Sequence, residues 1–150
     1  MNRTDPLDLV TTGVAVGGAG IARDGDGRVV FVEGALVGER VSVEIVETKK
    51  SFRRGRVLDV LEPAPGRVLP SCPEIANGCG GCDLAHASHA AQREMKAAMV
   101  ADSLRRLGRL ADLPDIDPGP DLATTGFRTT IRAAVVDGRA GLRHRRSHDV

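Results

Sequence analysis

The sequence predicts a mainly β protein with one helix, of the α+β class: a small OB-like barrel, then a cysteine loop, a helix and the beginning of a second, β-containing domain. Three observations carry that expectation. Residues 7–62 hold five short, Val-rich runs separated by glycine turns, with no helical period among them. Residues 88–110 are the one stretch with helical spacing of apolar residues. Asp137-Gly138 lies between two strand-like runs near the end of the chain, the signature of a tight hairpin turn.

Taken in order, "DLVTTGVAV" reads as a first strand and "GGAG" turns it. "ARDGDGR" is a tight-turn signal, because Asp and Gly accept positive φ, and it leads into the apolar strand "VVFVEG". "GALVGE" is a second glycine-bounded turn. "RVSVEIVET" then alternates Val41, Val43 and Ile45 with Ser42 and Glu44, the period of a half-buried strand. "KKS" turns the chain and "FRRGRVLDVLE" returns it.

Three prolines in "EPAPGRVLP" end the barrel, so residues 1–62 are expected as one unit and 63–112 as a cysteine-motif loop with its helix. On that helix Ala97, Val100, Leu104, Leu107 and Ala111 share one face, and Ser88 is placed to cap its start. Residues 113–150 are then a connector and a β-hairpin formed from "FRTTIRAAVV" and "RAGLRHRRS". A lone hairpin is not stable by itself, so these residues read as the truncated start of a further domain.

Net charge is +1, distributed unevenly. Residues 1–48 carry four arginines against eight acids, and residues 57–127 are likewise net acidic. Residues 49–56, "KKSFRRGR", hold five positive charges and no acid, and residues 128–150 hold six arginines against two aspartates. Two basic islands on an acidic chain are an anion-binding footprint. Lys49, Lys50, Arg53, Arg54 and Arg56 are candidates for phosphate contact, with Phe52 placed to stack on a base; Arg128 and Arg132 are their counterparts in the second island. The alternative is a solvated turn and a solvated hairpin face.

No apolar run reaches the ~18–20 residues of a membrane span, and "MNRTDPLDLV" lacks the pattern of an export signal. A cytoplasmic, monomeric protein is expected. There, close cysteine sets bind metals or do redox chemistry more often than they form disulfides. All three cysteines lie in "CPEIANGCGGCD": Cys72, Cys79 and Cys82. Thiolates select zinc or the irons of an iron–sulfur cluster, and the glycine pair before Cys82 lets the backbone fold tightly around sulfur. An iron–sulfur site needs a fourth cysteine from elsewhere; a Cys3His zinc site would recruit His86 or His89; three free thiols are the bland reading. His144 and His148 read as surface histidines. "GVAVGGAG" lacks the Lys-Ser/Thr of a phosphate loop, and no catalytic constellation stands out.

In order, these segments resemble the N-terminal part of the bacterial RNA (uracil-5-)-methyltransferases, which use S-adenosylmethionine. The run from Gly17 to Val68, with "GRVVFVEGAL", Gly38-Glu39-Arg40-Val41, the basic turn and "EPAPGRV", is similar to a TRAM domain. The resemblance implies that Cys72, Cys79 and Cys82 are ligands of a [4Fe-4S] cluster, with one more residue between the first two than the family usually has. It also implies an RNA partner, rRNA or tRNA, and places the fourth cysteine, the S-adenosylmethionine site and the catalytic residues past Val150. The chain alone is then expected to bind RNA weakly and transfer no methyl group. The competing expectation is a self-contained RNA-binding OB-type module with a Cys3His zinc site.

Overall fold

A computed structural model describes residues 5–150. Six strands form the first sheet: β1 Leu7–Val10, β2 Gly13–Val14, β3 Gly20–Arg23, β4 Val29–Glu33, β5 Arg40–Thr48 and β6 Phe52–Glu62. A single 3-10 turn at Pro73–Ile75 precedes helix α1, His89–Arg106, and a two-stranded sheet of β7 Ala134–Val136 and β8 Arg139–Gly141 follows. The chain is therefore mostly β with one helix, an OB-like six-stranded sheet plus a small second sheet.

The strand order is β1-β5-β6-β4-β3-β2, antiparallel except where β4 runs parallel to β6. Register shifts between β5 and β6 bend this long pair, which curls the sheet around its core. Leu9, Ala22, Val30, Val32, Ala35, Val41 and Val43 fill that core. The alternation read in β5 holds: Val41 and Val43 point inward and are fully buried.

The expected first strand is two strands, broken at Thr11-Thr12. Thr11 is buried and its backbone and side chain serve the turn between β4 and β5 instead of a ladder. Its N–H donates to the Glu39 carbonyl at 2.9 Å, Gly38 N–H donates to its carbonyl at 2.9 Å, and its hydroxyl donates to the Leu36 carbonyl. The break falls where the chain changes partner, from β5 for β1 to β3 for β2.

Ser88 caps α1 as expected, its Oγ accepting from the Ala91 N–H at 3.3 Å. The packed face differs from the expected one. Met95 is buried against Val14, Leu36 and Ala87, with Ala91 and Met99 beside it, whereas Val100 and Leu107 are 48% and 82% exposed. Two apolar stripes run along this helix, and the one through Ala91, Met95 and Met99 is the one covered, by Val14, Leu36 and Ala87. The helix stops at Arg106 and Arg109 takes φ 54°, so Ala111 lies outside it.

The linker is fastened to the barrel by a buried ion pair. Arg67 reaches back to Glu39, which is fully buried, and its guanidinium also donates to the Gly34 carbonyl at 2.6 Å. Arg67 bridges to Ala87, and Ser88 N–H donates to the Gly66 carbonyl at 2.7 Å. The cysteine loop between these anchors is thus held against the barrel at both ends.

Candidate nucleic-acid interface and cysteine site

The first basic island spans the turn before β6 and the start of that strand, and the cross-strand register sets the partners of its arginines. Arg56 stands opposite Glu44 and Arg54 opposite Glu47. Both form ion pairs, at 2.7 and 3.3 Å. Lys49 pairs with Glu47 at 2.9 Å, and Arg53 turns to the buried Asp24 at 2.9 Å. The Lys49 hydrogen bond, with the charges of Lys49 and Arg54, holds the Glu47 carboxyl below its ordinary range despite some desolvation. Lys50 is exposed and has no carboxylate partner among the described residues. The structure therefore sets Phe52, Arg53, Arg54 and Arg56 on β6, with Lys49 and Lys50 in the turn before it, and neutralises most of the island's charge.

Phe52 does not stand alone. Phe31 meets it edge-to-face, with ring centroids 5.6 Å apart, and the Arg54 guanidinium lies over both rings at 5.7 and 5.3 Å. Phe31 was not singled out in the sequence because it is 21 residues away; the parallel register of β4 and β6, Phe31 opposite Arg54, makes it a neighbour.

In the second island Arg128 stacks on the exposed Phe127 at 5.5 Å, and Arg132 is exposed. The segment after β8 then pairs with the cysteine loop. Cys79 bridges to His144, with Gly80 N–H donating to the Arg143 carbonyl and Arg145 N–H to the Gly78 carbonyl, both at 2.9 Å. Arg145 also reaches Asp83 and the Cys82 carbonyl, each at 2.7 Å, and Arg146 pairs with Glu33 on the barrel at 2.6 Å. A side chain at Gly80 would press on the Arg143 carbonyl at 3.0 Å, which is the physical reason this pairing needs glycine.

Cys79 is half-buried, Cys72 and Cys82 are exposed, and all three are free thiols. The Gly81 N–H donates to Cys79 Sγ at 3.4 Å. Three thiols on one short loop are the right donor set for iron or zinc. As placed they do not converge: among the described residues no three His, Cys, Asp or Glu side chains form a metal-holding group. His86 sits against Ala35, its Nε2 buried without a partner, and burial followed by the charge of Arg67 pushes its imidazole down from the ordinary value. His89 bonds Asp121 through Nδ1 at 2.8 Å. Neither is gathered with the cysteines; the histidine whose backbone bridges to Cys79 is His144.

Residues 11–58 match the TRAM domain family. The segment is similar to a TRAM domain over those residues. The chain as a whole is 42% identical to an uncharacterized RNA methyltransferase of Corynebacterium efficiens, covering all of this chain and 36% of that protein. It is 41% identical to the 23S rRNA (uracil(1939)-C(5))-methyltransferase of Halomonas elongata, covering 94% of this chain and 30% of that one. An uncharacterized RNA methyltransferase of Streptomyces coelicolor is 39% identical over 91% of this chain and 33% of its own length. A conserved protein of Methanococcus maripaludis, solved in solution, resembles 39% of the chain and 83% of its own at 29% identity, with a TM-score of 0.36. The chain spans about a third of the length of the curated relatives it matches. Among the described residues no helix is long and apolar enough to cross a membrane.

Proposed function

We propose that this chain is the RNA-binding N-terminal portion of an S-adenosylmethionine-dependent RNA methyltransferase that makes 5-methyluridine. The observation that carries the reading is the TRAM domain set at the head of an alignment that runs through the whole chain to proteins named RNA methyltransferases. In this reading the barrel and the arginines after β8 grip the RNA backbone. Binding of S-adenosylmethionine and methyl transfer belong to the part of the relatives that the chain does not match.

Cys72, Cys79 and Cys82 would hold an iron–sulfur cluster, completed by a fourth ligand from outside the described residues. The support is the donor set and the Gly81 amide aimed at Cys79. Bound there, the group would act as a cross-link within the cysteine loop, against which the segment carrying His144 is paired.

Fluorescence anisotropy of the 150-residue chain with a labelled fragment of 23S rRNA tests the reading. Binding that weakens steeply with salt is expected, since phosphate contacts release counterions. Absence of binding at low salt overturns it.

A further inference from the structure

We infer that single-stranded RNA lies in one groove running from Phe31, past the Gly17–Ala19 turn, to the arginines after β8, rather than along the Lys49–Arg56 segment. This rests on the RNA-binding reading above and says which surface carries it.

Two clefts, of about 350 and 560 Å³, share Gly17, Ala19 and Arg146 and so form one continuous groove. Each is within the size range of small-molecule sites, about 300–1,000 Å³. Six arginines and three carboxylates line the joined groove, a clear surplus of positive charge. In the Lys49–Arg56 island, four of the five charges, Lys49, Arg53, Arg54 and Arg56, instead face Glu44, Glu47, Asp24 and Asp26, and only Lys50 is left without a carboxylate partner among the described residues.

What remains free also differs. Arg145 and Arg146 are paired, with Asp83 and Glu33, and this fixes their positions. Arg132 and Arg143 line the larger cleft, are exposed, and have no carboxylate partner among the described residues. A cation already paired must give up its partner to meet a phosphate; an unpaired one does not.

Form follows charge. At Gly17, φ is 92° and a Cβ would meet nothing within 4 Å, so the backbone itself is open to a phosphodiester there. The smaller cleft is lined by Phe31 with Arg54 over its ring, a stacking surface at one end of an electrostatic path. Stacking combined with a basic track is how single strands are held without sequence readout.

The test compares two pairs of exposed positions in the 150-residue chain, using a labelled uridine-containing single-stranded RNA across a salt series. Arg132→Ala with Arg143→Ala should weaken binding about tenfold or more and lower the salt slope by about 1.4, the loss of two single-strand phosphate contacts. Lys49→Ala with Lys50→Ala should change affinity by less than about twofold. Thermal melts should leave both double variants near the parent, since these side chains are exposed. Equal losses, or a larger loss at the lysines, overturn the groove while RNA binding stands. A parent chain that binds no RNA overturns the RNA-binding reading and the groove together.

Discussion

Arg67, in the linker after the barrel, closes on the carboxylate of Glu39, which is fully buried at the turn before β5. Glu39 Oε2 also accepts from the Leu36 N–H at 2.8 Å and Oε1 from the Ala64 N–H at 3.2 Å, so both oxygens are satisfied. Glu39 belongs to "GERV", inside the segment matched to the TRAM family, and Arg67 to "PAPGRV", beyond it, 28 residues later. One ion pair joins them, and through it the barrel holds the segment that leads into the cysteines.

Arg67→Ala should therefore destabilise the chain by ~3–5 kcal/mol, because it leaves a buried carboxylate without its counter-charge. Thermal unfolding followed by circular dichroism checks this. A melting temperature unchanged from the parent would mean that the linker can leave the barrel at no cost.

The same pair sets a sign for acid. Burial alone would raise the Glu39 carboxyl, but the Arg67 hydrogen bond and the Leu36 and Ala64 amides outweigh it, so its folded value lies below the ordinary 4.5. A carboxyl depressed by folding contributes stability above its unfolded value and loses it as pH falls through the folded one. Stability should decline as pH drops below about 4.5, and Glu39→Gln should be less stable near pH 7 while showing a smaller acid decline. Chemical unfolding of both proteins from pH 7 to 3 separates the outcomes.

Much of the barrel was legible because the signal was local. β6 spans Phe52–Glu62, the same residues as the run "FRRGRVLDVLE", and β5 showed its buried valines by simple alternation. The break at Thr11 was not legible, since it depends on Leu36 and Glu39, which no local pattern links to it. The face of α1 was misplaced for a related reason: periodicity finds apolar stripes, and only the neighbouring barrel decides which is covered. Most of "FRTTIRAAVV" is not strand, because β propensity needs a partner and β8 offers one only to Ala134–Val136. Of the candidate site, the cysteines and basic islands stood out by composition. Their pairing with acids, the place of Phe31 and the meeting of Cys79 with His144 came from the fold.

Two arginines of one island should behave differently. Arg53 pairs with Asp24, whose side chain is 3% exposed, while Arg56 pairs with Glu44 at the surface. Arg53→Ala strands a buried acceptor and should lower stability by ~1–3 kcal/mol. Arg56→Ala should cost at most ~1 kcal/mol, the usual worth of an exposed pair. Urea unfolding of the two variants provides the comparison, and equal losses would show that Asp24 is not held by Arg53. A charge-reversal probe of RNA contact on this strand should accordingly leave Arg53 in place.

The cysteine loop makes the last prediction. The barrel core, Leu9, Ala22, Val30, Val32, Ala35, Val41 and Val43, takes no residue from residues 72–83, so loss of a thiol leaves it intact. Cys79 is the cysteine best supported as a ligand: it is half-buried, receives the Gly81 amide and sits in register with His144. Cys79→Ser should abolish retained iron and sulfide in anaerobically purified protein while the strand signal in circular dichroism persists. Zinc at about one equivalent without sulfide in the parent, lost on replacing a histidine, would instead identify a Cys3His site. His144, which the fold sets beside Cys79, is then the first histidine to replace, ahead of His86, packed on Ala35, and His89, bonded to Asp121.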